Sequence, residues 1–93
     1  MNKKKIDLKF LSKLYLDLSI QYIDQDKTIS VLKYKIGEKI GCPTNKQILY
    51  FLCNEEQQLG DILYSNGTVG KKTKDYQSLS SLGVNNESFF HRY

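Results

Sequence analysis

The side chains in this chain that most readily support catalysis or metal binding are two cysteines and one histidine, Cys42, Cys53 and His91. A structural zinc site needs about four ligands at short characteristic spacings, whereas His91 lies 38 positions after Cys53. Cys53 and His91 could form a nucleophile and its base, but no pattern places them together. We therefore expect two partly buried thiols in a reducing compartment, with no metal centre and no catalytic residue.

A glycine- and lysine-rich run in the second half of the chain is the other candidate for chemistry. Residues 66–73 read NGTVGKKT. A phosphate-binding loop needs four residues between its first glycine and its Gly-Lys pair, followed by a Ser or Thr that binds magnesium. Here the spacing is shorter, and Lys72 stands at the magnesium position. The run is expected to be a solvated flexible loop, and no cofactor is predicted.

The composition predicts one small globular domain, because 40% of the residues are hydrophobic and 26% are charged. Ninety-three residues lie near the lower end of what one core can stabilise. No apolar run approaches the ~20 residues that cross a bilayer, and Asp7 and Lys9 interrupt any secretion signal. We expect a monomer in the cytoplasm or nucleus, without a membrane segment.

The positive charge of the chain is weak evidence for a nucleic-acid partner. The formal net charge is +4, but Arg92 is the single arginine among the fourteen basic residues. Surfaces dedicated to phosphate recognition favour arginine, whose planar fork binds two oxygens at once. Nucleic acid is therefore expected to be a less favoured partner than protein.

Alternating segments after a basic leader (residues 1–5) predict a β-hairpin. The first segment alternates apolar and charged residues from Ile6 to Phe10, which is the period of a half-buried strand. The second segment is expected to place five residues on one face: Leu14, Leu16, Leu18, Ile20 and Tyr22. Two such runs separated by a few residues are typical of a hairpin.

A helix is predicted between Thr28, a good N-terminal cap, and Gly41, which suits the left-handed residue after a helix. Pro43 prevents the helix from continuing. One face of this helix is predicted to be buried, because apolar residues recur along it at i, i+3 and i+7: Ile29, Leu32 and Ile36. The lysines expected to lie mostly off that stripe are Lys33, Lys35 and Lys39.

The residues after the helix predict further strands. In the strand over 47–52, Leu49 and Phe51 share one face while Ile48 and Tyr50 share the other. A last apolar segment contains Leu79, Leu82, Val84, Phe89 and Phe90. The order ββαβ, an irregular region and a final strand predicts an α+β fold, with one main helix packed on a mixed sheet.

These elements resemble the ubiquitin family. The segment T-I-x-x-L-K-x-K-I in residues 28–36 is similar to the start of the ubiquitin helix. The segment G-C-P-x-x-K-Q-x-L-Y-F in residues 41–51 is similar to the helix exit and the third strand, and S-L-S-S-L-G-V-N-N-E-S in residues 78–88 is similar to the turn before the last strand. The resemblance implies a ubiquitin-like β-grasp fold over residues 6–93.

The chain departs from the family pattern before and after its last strand. Leu59 with Asp61 resembles the short fourth strand, and residues 62–77 are then an insertion, of which 65–75 are expected to be the most mobile part. The sequence ends at Tyr93 without the Gly-Gly tail of conjugating modifiers. The resemblance implies a non-conjugated interaction domain of a larger protein, with a modifier truncated before its tail as the alternative.

In the family, most receptors dock on a small apolar patch of the sheet face opposite the helix. The matching positions here are Ile48, Tyr50, His91 and Tyr93. The implied partners are ubiquitin receptors, proteasome components or ligase components. The same register turns Arg92 toward the helix, so that either its head reaches past the end of the sheet or the last strand slips by one residue.

A second resemblance favours a different partner. I-S-V-L-K-Y-K-I-G-E in residues 29–38, together with Lys46 and Gln47, is also similar to the ubiquitin-like domain of a large splicing-factor subunit. That resemblance implies an RNA-associated domain as the alternative function. Phosphate contacts would give its binding a steep dependence on salt, which apolar docking lacks.

Overall fold

The computed structural model describes residues 4–12, 15–54 and 70–92, and in these residues one main helix packs on a five-stranded sheet. The strands are β1 (Lys5–Ser12), β2 (Tyr15–Asp24), β3 (Leu49–Cys53), β4 (Lys71–Lys72) and β5 (Ser88–Arg92), and the helix is α1 (Ile29–Ile40). The strand order is β2-β1-β5-β3-β4, with β1 and β5 parallel and the other pairs antiparallel. The predicted α+β, β-grasp fold class is confirmed.

Both ends of α1 are stabilised by the residues that the sequence indicates. The Thr28 hydroxyl accepts the backbone N–H of Val31 at 3.4 Å, which satisfies one donor of the first turn. Gly41 has a left-handed φ of 73°, and its N–H donates to the carbonyl of Gly37 at 2.8 Å. The predicted stripe is fully buried against the sheet: Ile29, Leu32 and Ile36.

The prediction that Lys33 lies mostly off the buried stripe is wrong, because only 7% of this residue is exposed. Its ammonium group donates to the carboxylate of Asp75 at 2.6 Å. The segment after β4 crosses the start of α1, where the N–H of Ser30 donates to the Asp75 carbonyl. Lys33 is covered by a segment distant in sequence, whereas Lys35 and Lys39 are exposed as predicted.

The hairpin forms as predicted, but a bulge in β2 changes its phase. Ile6 pairs with Ile23 and Leu8 pairs with Ile20, so β2 has one extra residue between the two pairs. Tyr22 adopts a left-handed φ of 63° and is 73% exposed, and its N–H donates to the Asp7 carboxylate at 2.8 Å. The prediction that Tyr22 shares the face of Ile20 is therefore wrong.

The same hairpin differs from the prediction at its other end. A second irregularity between Phe10 and Leu11 leaves Leu16 more than half exposed. Leu18 packs at the margin of the core, and Leu14 lies outside the described residues. The predicted apolar face of β2 is thus buried only in its middle.

The predicted insertion contains a short strand, β4. Lys71 and Lys72 pair with Phe51 and Tyr50 of β3, and the N–H and hydroxyl of Thr73 both donate to the Leu49 carbonyl. Residues 71–73 are therefore held against β3 by backbone pairing, while the expectation that residues 65–75 are the most mobile part stays a prediction. The predicted strand at Leu59 and Asp61, and the rest of the insertion up to residue 69, lie outside the described residues.

The main core fills the space between α1 and the sheet, and Phe90 lies at its centre. The Phe90 ring lies 5.4 Å from the Phe10 ring and 5.5 Å from the Phe51 ring, measured between centroids. The other fully buried members near the middle of the sheet are Ile6, Leu8 and Leu49. Among the described residues, no helix is long and apolar enough to cross a membrane.

Candidate functional site

The candidate site lies on the sheet face opposite α1, called the outer face below. Leu49 is buried in the core, so the alternation of β3 turns Ile48 and Tyr50 to the outer face. Ile48 is 41% exposed, and Tyr50 is half-buried. Lys72 pairs directly with Tyr50 and is exposed on the same face. The predicted phase of β3 is confirmed.

β5 places His91 beside Tyr50, as the sequence predicts, but in a buried position. Phe90 contacts α1, so its neighbours Phe89 and His91 face outward, where His91 pairs with Tyr50 and with Leu11 of β1. His91 is only 4% exposed and therefore adds little to the exposed surface of this face, while its contact with a partner stays a prediction. Tyr93 lies outside the described residues.

A second, smaller hydrophobic cluster explains why the outer face is partly closed. Leu11, Cys53 and Phe89 are buried together, with Leu52 packed against them. The sequence pattern does not predict this cluster, because Leu11 lies between the two alternating segments of the hairpin and an irregularity at Leu52 turns Cys53 outward. The sequence does contain one signal for this cluster. Phe89 and Phe90 are adjacent aromatic residues, and neighbours in a strand face opposite sides of the sheet, so one of the two rings must lie on the outer face. The exposed part of the outer face is therefore centred on Ile48 and Tyr50.

Arg92 decides between the two predicted registers of the last strand. It pairs with Leu49 and therefore lies on the α1 side of the sheet. Its guanidinium group binds the carboxylate of Asp17 on β2. The strand does not slip, as one of the two alternatives predicts, but the arginine head binds a carboxylate on β2 instead of reaching past the end of the sheet.

The candidate chemical groups do not form an accessible site. Cys53 pairs with Phe89 and His91 pairs with Tyr50, and both Cys53 and His91 are about 4% exposed, so a substrate does not reach them. Cys42 is half-buried at the exit of α1. Within residues 4–12, 15–54 and 70–92, no three His, Cys, Asp or Glu side chains are grouped so that they could hold a metal ion.

A groove of about 490 Å³ lies at the C-terminal end of α1. Its lining comprises Tyr34, Gly37, Glu38, Gly41, Cys42, Pro43 and Thr44. Glu38 is the only acidic or basic side chain among the described lining residues, which therefore do not bring several charges together as a catalytic site does. Its lining contains none of the described residues that the sequence assigns to partner binding, which are Ile48, Tyr50 and His91.

The burial of His91 predicts a pH-dependent stability. Burial lowers the pKa of His91 below its usual value of 6.5, because the charged imidazolium loses hydration. Below pH 6.5 the unfolded chain therefore binds more protons than the folded chain. We expect the free energy of unfolding, measured with urea, to fall as the pH drops from 6.5 through the lowered pKa of the folded state. A His91→Gln variant should lose this dependence, and an unchanged pH profile would contradict the prediction.

Comparison with protein-family models gives no match, and comparison with curated proteins gives none either.

Proposed function

We propose that this chain is a ubiquitin-like interaction domain that docks a protein partner through Ile48 and Tyr50. The observation that carries the proposal is the exposure of Ile48, which directly precedes β3, next to Tyr50 on this inner strand of the sheet. Leu49 and Phe51 alternate with them and hold the same strand to the core. The docking residues are thereby fixed by a rigid element, which lowers the entropy cost of binding.

The chemistry of the two residues favours a protein partner over a small molecule. A tyrosine offers a large rigid contact surface at low entropy cost, and binding hot spots are enriched in such residues. Neither Ile48 nor Tyr50 lines one of the grooves formed by the described residues, whereas small-molecule sites are enclosed pockets. The burial of Cys53 and His91 supports binding rather than catalysis.

The proposed partners are ubiquitin receptors, including helical ubiquitin-binding segments, proteasome components and ligase components. Their support is the similarity of residues 28–36 and 41–51 to the ubiquitin helix and third strand, together with the β-grasp topology. The burial of His91 restricts the proposed contact to the Ile48 and Tyr50 end of the face. The partner class is therefore a proposal that binding measurements must test.

Tyr50→Ala is expected to weaken binding to a ubiquitin-receptor panel by at least ~30-fold, since a hot spot contributes 2 kcal/mol or more. Titration of purified receptor domains measures this loss, and thermal unfolding checks that the variant remains folded. Ile48→Ser, which changes a more exposed side chain, should also weaken binding. Lys35→Ala, an exposed change on α1, is the control and should alter neither measurement. Full binding by folded Tyr50→Ala would refute the proposed site.

A further inference from the structure

Gly70 lies against β3, at the base of the Tyr50 side chain. It directly precedes β4, in which Lys71 pairs with Phe51 and Lys72 pairs with Tyr50. A methyl group attached to the Cα atom of Gly70 would lie 2.7 Å from the Cβ atom of Tyr50 and 3.1 Å from the Phe51 carbonyl oxygen. Ordinary contacts of such a group begin at 3.4 Å, so the two segments approach more closely than a residue with a side chain would allow.

Rotation of the Tyr50 side chain does not relieve this contact. The Cβ atom of Tyr50 is bonded directly to the β3 backbone, and the Phe51 carbonyl group is part of that backbone. β3 lies between β5 and β4 and is held to the core by Leu49, whereas β4 has only two residues. A side chain at position 70 would therefore displace the segment that enters β4 rather than β3.

The segment that contains Gly70 is itself fixed on β3. The N–H and the hydroxyl of Thr73 donate to the Leu49 carbonyl at 3.0 Å and 2.9 Å. Thr73 is buried, although both residues of β4 are exposed. Together with the pairing of Lys72 with Tyr50, these bonds hold the backbone of Gly70 in place beside Tyr50.

We propose that Gly70 is a positioning residue for the docking site, because its backbone blocks one of the three staggered positions of the Tyr50 ring about the Cα–Cβ bond. The ring is thereby held in the orientation that it has on the outer face. A side chain with fewer accessible rotamers loses less entropy when a partner immobilises it. This inference rests on the proposed docking function, and it assigns the rigidity of Tyr50 to a residue that need not touch the partner.

Gly70 also has a purely structural explanation, because its close approach lets β4 pair with β3 at the edge of the sheet. In that case a side chain at position 70 would lower stability without changing the orientation of the Tyr50 ring. The two explanations differ in the χ1 angle of Tyr50 in the free protein, and in the affinity of a variant that remains folded.

The binding test compares Gly70→Ala with Gly37→Ala, a matched steric control on α1. A methyl group at Gly37 would lie 2.8 Å from the Cys42 carbonyl oxygen, so both variants press the same group against the backbone of a neighbouring segment. The probe is the ubiquitin-receptor domain of the panel that binds the wild type most tightly. We expect Gly70→Ala to weaken its binding by about tenfold and Gly37→Ala to leave it unchanged. Urea denaturation records the stability of each variant.

The orientation of the ring is measured by NMR without a partner. Three-bond couplings to the β protons of Tyr50 report its χ1 angle. We expect one χ1 position to dominate in the wild type and in Gly37→Ala, and several to be populated in Gly70→Ala. If Gly70→Ala does not fold, Thr73→Val replaces it, since this change removes the hydroxyl bond to Leu49 without adding atoms beside Tyr50. It should also increase the number of populated χ1 positions.

The outcomes separate this inference from the docking proposal on which it rests. If Tyr50→Ala loses binding but Gly70→Ala changes neither the couplings nor the affinity, the docking site stands and the inference fails. A Tyr50 ring that is rotationally averaged in the wild type overturns it, as does a change in the couplings without a loss of affinity. Equal losses of affinity from both glycine variants would mean that stability alone is responsible and would also overturn it. If no receptor domain binds the wild type, the docking proposal fails, while the couplings still decide whether Gly70 orients the ring.

Discussion

Phe90→Ala is expected to lower the free energy of unfolding by about 3–5 kcal/mol, the usual cost of deleting a buried aromatic ring. Phe90 is fully buried at the centre of the sheet, on β5 between β1 and β3. Its ring contacts the rings of Phe10 and Phe51, one on each neighbouring strand. The truncation therefore leaves a cavity next to the Phe10 and Phe51 rings, in the core between α1 and the sheet.

Urea denaturation followed by circular dichroism measures this loss. Tyr76→Ala is the matched control, since Tyr76 is 75% exposed and its truncation should change stability by no more than about 0.5 kcal/mol. Natural domains of this kind are stable by only about 5–15 kcal/mol, so the Phe90 variant should be close to unfolding. A loss below about 1 kcal/mol would contradict the position of Phe90 at the junction of the two strand pairs.

Leu32→Ala is expected to lower the free energy of unfolding by roughly 2–5 kcal/mol. Leu32 lies in the middle of the buried stripe of α1 and has no exposed surface. Alanine favours the helix itself, so the loss measures packing between α1 and the sheet rather than helix propensity.

The matched control for Leu32→Ala is Tyr34→Ala, two positions further along the same helix. Tyr34 is 63% exposed, and its truncation should have little effect on stability. Equal and small losses from both variants, below about 0.5 kcal/mol, would mean that the assigned face of α1 does not pack on the sheet.

The parts of the fold that the sequence predicts correctly depend on neighbouring residues. The limits of α1 follow from Thr28 and Gly41, whose caps involve hydrogen bonds within one helical turn. The burial of Leu32 follows from spacing along a single helix. The outward phase of Ile48 and Tyr50 likewise follows from alternation along one strand. Each of these features is specified within a few residues of the side chain concerned.

The features that the sequence analysis missed depend on contacts between distant segments. Lys33 is buried because Asp75, 42 positions away, bonds to its ammonium group. The bulge at Tyr22 forms where the Asp7 carboxylate accepts its N–H, and no glycine marks the position. The two lysines of β4 form no apolar pattern, and the strand is held by its pairing with β3. Local periodicity contains no information on any of these contacts.

The candidate site shows the same division between local and distant effects. The resemblance assigns His91 and Tyr50 to one face of the sheet, and the structure pairs them on adjacent strands. The burial of His91 is not predicted, because it depends on side chains from two different strands. Leu11 on β1 and Phe89 on β5 are buried on the same outer face as His91. The predicted patch is consequently reduced to Ile48 and Tyr50, among its described members.

The most direct test of the proposed docking function is an amide NMR footprint of a bound partner. Isotope-labelled protein is titrated with a purified ubiquitin-receptor domain, and the amide shifts of the described residues are followed. We expect the largest changes at Ile48, Tyr50 and Lys72, with smaller changes at the buried His91 and none along the exposed face of α1. Binding that perturbs α1 or β2 while leaving Ile48 and Tyr50 unchanged would contradict the account, and so would the absence of binding by every receptor in the panel.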